Sequence, residues 1–445
     1  MDSQKKICVL GLGYIGLPTA SILASAGHKV VGVDTNLEVV KVLQNHGLHI
    51  HEPGLRELVG KVTSSGDLSF SPTPQLADTF ILAVPTPMGR NRSADLQYVK
   101  SATRSILPYL REGNMVILES TVPPGTVERV VLPILSESGL DVGSDIFVAH
   151  SPERVLPGRI LVELVENNRI VGGIDEESTR RAHDLYASFV EGKILCTDCT
   201  TAEMVKLIEN TFRDINIAYA NELAKICESI GINVWEAIEL ANYHPRVNVH
   251  KPGPGVGGHC IAIDPWFIVE VAPELAKLIS LGRLTNDLMP THVVRTVNTI
   301  VPPESKIAVL GLAFKGDVDD VRESPAICIV DKLEKQGYEV EVYDPYVKVF
   351  RGREIDDLQG AVENSDLVLV LTDHSDFKEV DVQSIADLVN TRRVFDTKNC
   401  LDREVWESAR FIYYLLGDGK SRFSEFPVEQ EAAIAIEVEV SPGES

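Results

Sequence analysis

In the stretch Pro252–Asp264, PGPGVGGHCIAID, a single cysteine, Cys260, stands behind four glycines and two prolines and four residues ahead of Asp264. A thiol is a strong nucleophile as its thiolate, and glycines at this density let a backbone come close to another group. By itself a lone cysteine is most often a small buried hydrophobe. The glycine loop and the nearby carboxylate are what set Cys260 apart. His259 is the adjacent candidate base, but neighbouring side chains of an extended segment point to opposite sides, which assigns it to packing or loop orientation. A second polar group, Lys206, Asn210 and Arg213, recurs at i, i+4 and i+7 and therefore shares one helix face. An arbitrary trio of this kind is a solvated surface. Lys206, however, is flanked by Met204, Val205, Leu207 and Ile208, surroundings that suit a buried cation facing a ligand.

A third constellation opens the chain. Gly11-Leu12-Gly13-Tyr14-Ile15-Gly16 follows the apolar run Ile7–Leu10 and opens a helix-like segment to Ala26, and the next apolar run ends on Asp34, 18 residues after Gly16. This strand, glycine turn, helix, strand context is what turns a common GxGxxG into a dinucleotide fingerprint. The pyrophosphate is expected at the helix N-terminus, and Asp34 at the adenosine ribose hydroxyls. A 2′-phosphate beside that carboxylate would be repelled, so the expected cofactor is NAD rather than NADP.

Elements that position these residues follow from the hydrophobic pattern. Further buried strands are expected at TFILAVPTP, NMVILEST and IFVAHSPE, each ending in turn or polar residues, where such folds hold their ligands. From Thr200 to Gly231 there is no internal Gly or Pro and the spacing is helical, predicting one long helix that carries Lys206, Asn210 and Arg213. After a second helical stretch to about Ile300 the opening arrangement returns: Gly311 lies 300 residues after Gly11, and Asp344 takes the place of Asp34. This copy lacks the second and third glycines, so it is expected to bind something other than a dinucleotide. The expected fold is α/β: two doubly wound, Rossmann-like parallel sheets joined by a central helical region. The expected boundaries are 1–199, 200–300, 301–420 and an acidic tail from 421 in which AAIAIEVEVS alternates like a strand.

Composition narrows the function class. The 445 residues carry a net charge of −23, which argues against nucleic acid as a partner while leaving room for a small anion held by local cations. Seven cysteines without a regular framework suit a reducing cytosol. Cys196 and Cys199 form one CxxC without the partners of a zinc site, so two small structural residues are expected there and no metal. The basic, apolar N-terminus superficially resembles a signal peptide, yet cleavage would destroy the glycine motif, and no run reaches a membrane span. A cytoplasmic chain is expected.

Several motifs occur in order: Gly11 to Gly16, STVPPGT (120–126), SPERVLPG (151–158), AEMVKLIENTFR, GGHCIAIDPWF and GLAFKGDVDDVRESP. Over roughly residues 7–400 the chain resembles the UDP-glucose/GDP-mannose dehydrogenase family, and HPRVNVHKPGPGVGGHCIAIDPWFIV is most similar to its branch acting on UDP-N-acetyl-D-mannosamine. The resemblance implies oxidation of the C6 alcohol of a UDP-sugar to a carboxylate with two NAD, Cys260 acting as covalent nucleophile. It further implies that Lys206 and Asn210 stabilise oxyanions, that Asp264 and Glu153 handle protons and water, and that Thr121 positions water near the nicotinamide. It implies sugar-nucleotide contacts from Arg154, Val155, Lys206, Asn210, Arg213, His244, Arg246, Gly257, Phe314 and Lys315. The cofactor set becomes Gly11, Gly13, Tyr14, Ile15, Gly16, Asp34, Thr86, Thr121 and Arg322, and the family is usually dimeric or higher, with the long helix as the expected seam. The nearest alternative is the same reaction on UDP-N-acetylglucosamine or UDP-glucose; a two-electron hydroxyacid dehydrogenase would need Lys206 and Asn210 but no Cys260. An NAD-binding sensor would need neither.

Overall fold

The structure is a computed structural model describing residues 4–156 and 158–419; the acidic tail and its alternating segment lie outside the described residues. The chain divides into two compact units, one running to Ile215 and taking in His259–Arg283, the other made of Asn216–Gly258 and the chain from Leu284 on.

In the first unit the strands are β1 (Lys6–Leu10), β2 (Lys29–Val33), β3 (Leu68–Ser71), β4 (Thr79–Leu82), β5 (Met115–Leu118), β6 (Phe147–His150), β7 (Arg169–Gly173) and β8 (Ile194–Asp198). They form one sheet in the order β3-β2-β1-β4-β5-β6-β7-β8. Alternate residues serve opposite faces: Ile7 and Val9 enter one apolar cluster with Ile81 and Ile117, and Cys8 and Leu10 enter another with Phe80 and Val116. Both faces are covered, which is why these strands read as unbroken apolar runs. Pairing is parallel except between β6 and β7, where Ala149 opposes Gly173 and His150 opposes Gly172 in antiparallel register. The sheet is therefore mixed at that point, since the SPE turn and a short helix return the chain without a full crossover. The order reverses between β1 and β4, creating the switch-point crevice at their carboxyl ends.

The second unit carries β9 (Lys306–Leu310), β10 (Glu339–Tyr343), the small hairpin β11 (Val349–Phe350) and β12 (Arg353–Glu354), then β13 (Leu367–Val370), β14 (Arg393–Asp396) and β15 (Ile412–Leu415). Its five-stranded sheet runs β10-β9-β13-β14-β15, parallel throughout.

One helix, Cys199–Ile230, spans 32 residues, as the unbroken pattern requires. Asp198 starts it by accepting the Thr201 amide (2.8 Å) and hydroxyl (2.7 Å), and Gly231, at φ +79°, ends it in the left-handed conformation. A second helix covers Lys277–Ile300, and a shorter one, Asp264–Val271, begins with Pro265 in its first turn. No helix among the described residues is long and apolar enough to cross a membrane.

Candidate active site

The three glycines of the first turn have separate structural reasons. Gly11 has φ +91°, and a Cβ there would lie 2.4 Å from the Ala83 carbonyl oxygen at the end of β4. A Cβ on Gly16 would lie 1.8 Å from the Gly11 oxygen, so this glycine lets the helix sit against the turn. A Cβ on Gly13 would meet no atom within 4 Å. Nothing in the protein requires Gly13 to be small, and its exposed backbone is open for close approach by a ligand. Tyr14 is exposed and Ile15 half-buried beside it. Asp34, half-buried, accepts the Leu12 amide through Oδ2 (3.0 Å) and the Asn36 amide through Oδ1 (2.8 Å), fixing the carboxylate beside the turn. These residues fit a dinucleotide: an open amide-lined turn for the pyrophosphate, and a carboxylate one strand away for a ribose.

Two strands along the crevice, the Thr86 hydroxyl donates to the Thr121 carbonyl (2.6 Å). Ser120 Oγ accepts the Val84 amide (3.0 Å) and donates to the Val84 carbonyl (2.7 Å), so the start of the 120–126 loop is stitched to the end of β4. Thr86 and Thr121 thus meet beyond the ends of β4 and β5.

Cys260, Lys206, Asn210 and Asp264 come together within the first unit. Cys260 is half-buried, and its carbonyl accepts the amides of Ile263 (3.0 Å) and Asp264 (2.8 Å), so thiol and carboxylate stand one turn apart. Residues 259–263 form a turn and not the extended segment from which opposite side-chain directions were expected; the alternation argument does not govern His259. The buried Asp264 carboxylate takes a 2.5 Å hydrogen bond from Asn210 Nδ2. Burial raises its pKa to about 6, against the pull of the Lys206 charge and the Asn210 bond. The result is an acid that exchanges protons near neutrality beside a thiol, an amide and an ammonium. Such a set can stabilise a developing oxyanion and move its proton. Arg213, two turns beyond Lys206, is exposed.

Glu153 lies at the end of β6 in a buried network that the sequence reading misses. The guanidinium of Arg169 donates to Ser151 Oγ (2.9 Å), Glu153 Oε2 (3.3 Å) and Glu119 Oε1 (2.6 Å), and its Cζ lies 3.9 Å from the centre of the Tyr186 ring. Tyr186 also donates to Glu119 (2.7 Å). The arginine thereby holds the Ser151–Glu153 turn against the residue preceding Ser120. A signal was available: Arg169 and Glu119 are single charges at the ends of the apolar runs RIV and MVIL. Arg154 is held by both carboxylate oxygens of Glu209 and by the Asn168 carbonyl (2.8 Å), with Val155 half-buried next to it.

In the second unit, Asn216, Asn221 and Asn242 strap the 248–253 loop. Asn242 bonds both the amide (2.7 Å) and the carbonyl (2.9 Å) of Val249, Asn216 takes the His250 amide (2.7 Å), and Asn221 takes the Gly253 amide (2.9 Å). His244 and Arg246 are exposed, and His244 Nδ1 faces the Arg246 amide at 3.3 Å. A Cβ on Gly257 would lie 2.6 Å from the Glu323 oxygen and 2.8 Å from Phe314, so this glycine is required by packing against the 314–325 loop. Gly258 donates to the Arg322 carbonyl (3.1 Å). Lys315 is exposed, and the Arg322 guanidinium is paired with Asp320 (2.6 Å).

Comparison with known proteins places these features in context. Models of the UDP-glucose/GDP-mannose dehydrogenase family match residues 5–190 as its NAD binding domain, 200–287 as its central domain and 308–403 as its UDP binding domain. The chain is 51% identical to a UDP-N-acetyl-D-mannosamine dehydrogenase of Methanocaldococcus jannaschii, over 94% of this chain and 97% of that one. The chain belongs to the UDP-glucose/GDP-mannose dehydrogenase family. It is also 47% identical to an NDP-N-acetyl-D-galactosaminuronic acid dehydrogenase of Ralstonia nicotianae (91% and 97% covered). Among solved structures it resembles the UDP-D-ManNAc dehydrogenase of Pyrococcus horikoshii, with a TM-score of 0.88, 43% identity and coverage of 93% and 100%.

As a member of this family the chain is an NAD-dependent dehydrogenase acting on CH–OH, and the glycine turn and Asp34 lie within the residues matched as its NAD binding domain. The second copy of that turn is differently employed. Asp344 is buried and accepts the amides of Leu312 (2.7 Å), Ala313 (3.1 Å), Tyr346 (2.9 Å) and Val347 (3.0 Å) as well as His374 Nε2 (3.1 Å). Burial opposes its ionisation, yet the His374 bond and these amides bring its pKa down to about 2. All its acceptor capacity is spent inside the protein.

Proposed function

We propose that the chain oxidises C6 of UDP-N-acetyl-D-mannosamine from alcohol to carboxylate, and that Cys260 carries the intermediate. The observation that supports this most is the pairing of the buried Asp264 with the half-buried Asn210, one turn from a half-buried cysteine and beside Lys206. When bound, NAD supplies the acceptor for each of two hydrides leaving C6. The protein's residues do the rest. Asp264 takes up protons through a carboxyl poised near neutrality. As the first hydride leaves, the alcohol proton is lost and an aldehyde forms. The Cys260 thiolate then adds to the aldehyde carbon, and Lys206 and Asn210 stabilise the resulting oxyanion. Loss of the second hydride from this thiohemiacetal gives a thioester. Water held by Glu153 and Thr121 breaks the C–S bond, releasing the uronate and restoring the thiol. Within the first unit Arg154 and Arg213 offer cations for the substrate's diphosphate, and Arg246 and Lys315 are exposed cations of the second unit.

The sugar is read from the relatives' names and from the 244–269 segment. Assay of UDP-N-acetylmannosamine, UDP-N-acetylglucosamine, UDP-N-acetylgalactosamine and UDP-glucose should give a specificity constant highest for the first, with two NADH per sugar. Equal turnover of UDP-glucose would overturn the sugar assignment alone. Cys260→Ala should retain nucleotide binding and form no uronate; two NADH and uronate at near the wild-type rate from this variant would refute the covalent mechanism.

A second copy of the chain is the partner proposed for the long helix. Its residues Ile208, Phe212, Ile215, Tyr219 and Ile226 follow a four-three spacing, interrupted at Glu222, and Phe212 and Tyr219 are 64% and 54% exposed. A stripe of this kind is self-complementary across a two-fold axis.

A further inference from the structure

We infer that Glu203 is a positioning residue for this oxidation, its carboxylate latching the 120–127 loop, which carries Thr121, onto the helix turn that presents Lys206. The inference rests on the roles given above to Thr121, Lys206 and Asn210. Glu203 precedes Lys206 by three residues on the same helix and is 1% exposed. Its two carboxylate oxygens are both engaged, Oε2 by the Gly125 amide and Oε1 by the Val127 amide at 2.8 Å. These two amides open the turn Val127–Val131, and the acceptor reaches them from more than 70 residues away in sequence.

An ordinary helix cap is a Ser, Thr, Asp or Asn side chain next to the first turn, as Asp198 is for the long helix. Here the residue before the turn, Thr126, turns its hydroxyl back to the Pro123 carbonyl (2.6 Å), and a buried glutamate from the catalytic helix takes the amides instead. Burying that carboxylate is expensive, and burial raises its pKa to about 7 against the pull of the Val127 and Gly125 amides and the Arg129 charge. A neutral side chain cannot accept two amides through two equivalent oxygens, so the charge buys a two-point attachment. The geometry of the loop agrees. Ser120 and Thr121 tie its first half to β4, and Gly125, at φ +84°, lets the chain turn so that its amide meets Glu203. Arg129 closes the far side by donating to the Pro124 carbonyl. The loop is thus fixed at one end to the cofactor crevice and at the other to the Lys206 helix. A rigid path joins Thr121 to Lys206, and Glu203 is its junction.

The test is Glu203→Gln in the full chain. The volume is unchanged, but one oxygen becomes an NH2 group facing an amide donor. Hydrogen exchange in peptides covering 120–131 should speed up roughly tenfold with the rest of the chain unchanged. With UDP-N-acetylmannosamine, kcat should fall on the order of thirtyfold while KM for the sugar nucleotide stays within about twofold, the pattern of displaced catalytic groups. Glu203→Asp keeps both oxygens and should recover part of the loss; it also supplies the test if the glutamine variant does not fold. An unchanged kcat, or exchange that rises throughout the chain together with a general loss of stability, would overturn the latch. If instead the wild-type protein oxidises none of the sugars while the 120–131 exchange still responds to Glu203→Gln, the functional reading fails and the attachment stands.

Discussion

At the scale of single residues, Asp264 carries the sharpest consequence. Its carboxyl is raised to about 6 in the folded protein and titrates near 4 when unfolded. The folded state therefore holds its proton more tightly. The stabilisation this gives is fully present below about pH 4 and is lost as pH rises through about 6. Asp264→Asn removes the charge that burial penalises. At pH 7.5 this variant should melt higher than the wild type, by an amount corresponding to on the order of 2 kcal/mol, while kcat falls on the order of a hundredfold or more. The wild-type rate should show an acidic limb near pH 6 that the variant lacks. A melting temperature below wild type at pH 7.5 would show that Asn210 and Lys206 depend on the charge more than burial opposes it. The cysteine and its acid could be read from thirteen letters of sequence. Tyr186 and Glu203 could not, and Glu119 and Arg169 showed only as single charges at the ends of apolar runs, because each finds its partner at least 16 residues away.

Elements show where pattern is informative. The glycine turn, its strands and the 32-residue helix were legible because period and punctuation are local properties. The antiparallel β6–β7 pair was not, since the direction of pairing depends on how a connection folds back. Within the glycine turn, physics separates residues that sequence treats alike. Gly13→Ala meets open space, so melting should be unchanged while KM for NAD rises about tenfold or more as the methyl group obstructs the pyrophosphate. Gly16→Ala drives a methyl into the Gly11 carbonyl and should destabilise the protein by several kcal/mol. Thermal melts alongside cofactor titration check both. Equal stability losses would mean that Gly13 is structural too. Gly257 belongs with Gly16, because its close neighbours are Glu323 and Phe314 of its own unit.

For the whole molecule, the exposed stripe on the long helix predicts its own disruption. Phe212→Glu places a charge at the centre of the proposed seam, and sedimentation velocity at micromolar concentration should show monomers where the wild type sediments as a dimer or larger. A wild-type monomer would refute the seam outright. The two sheets also use matching aspartates differently. In the first, Asp34 sits half-exposed beside an open turn; in the second, Asp344 is wrapped by four amides and a histidine. Placing further glycines after Gly311 would not create a dinucleotide cradle, because Asp344 is already committed to its own wall. Variants of the second sheet should gain dinucleotide affinity only when the partners of Asp344 are changed together with the glycines, as cofactor titration would show.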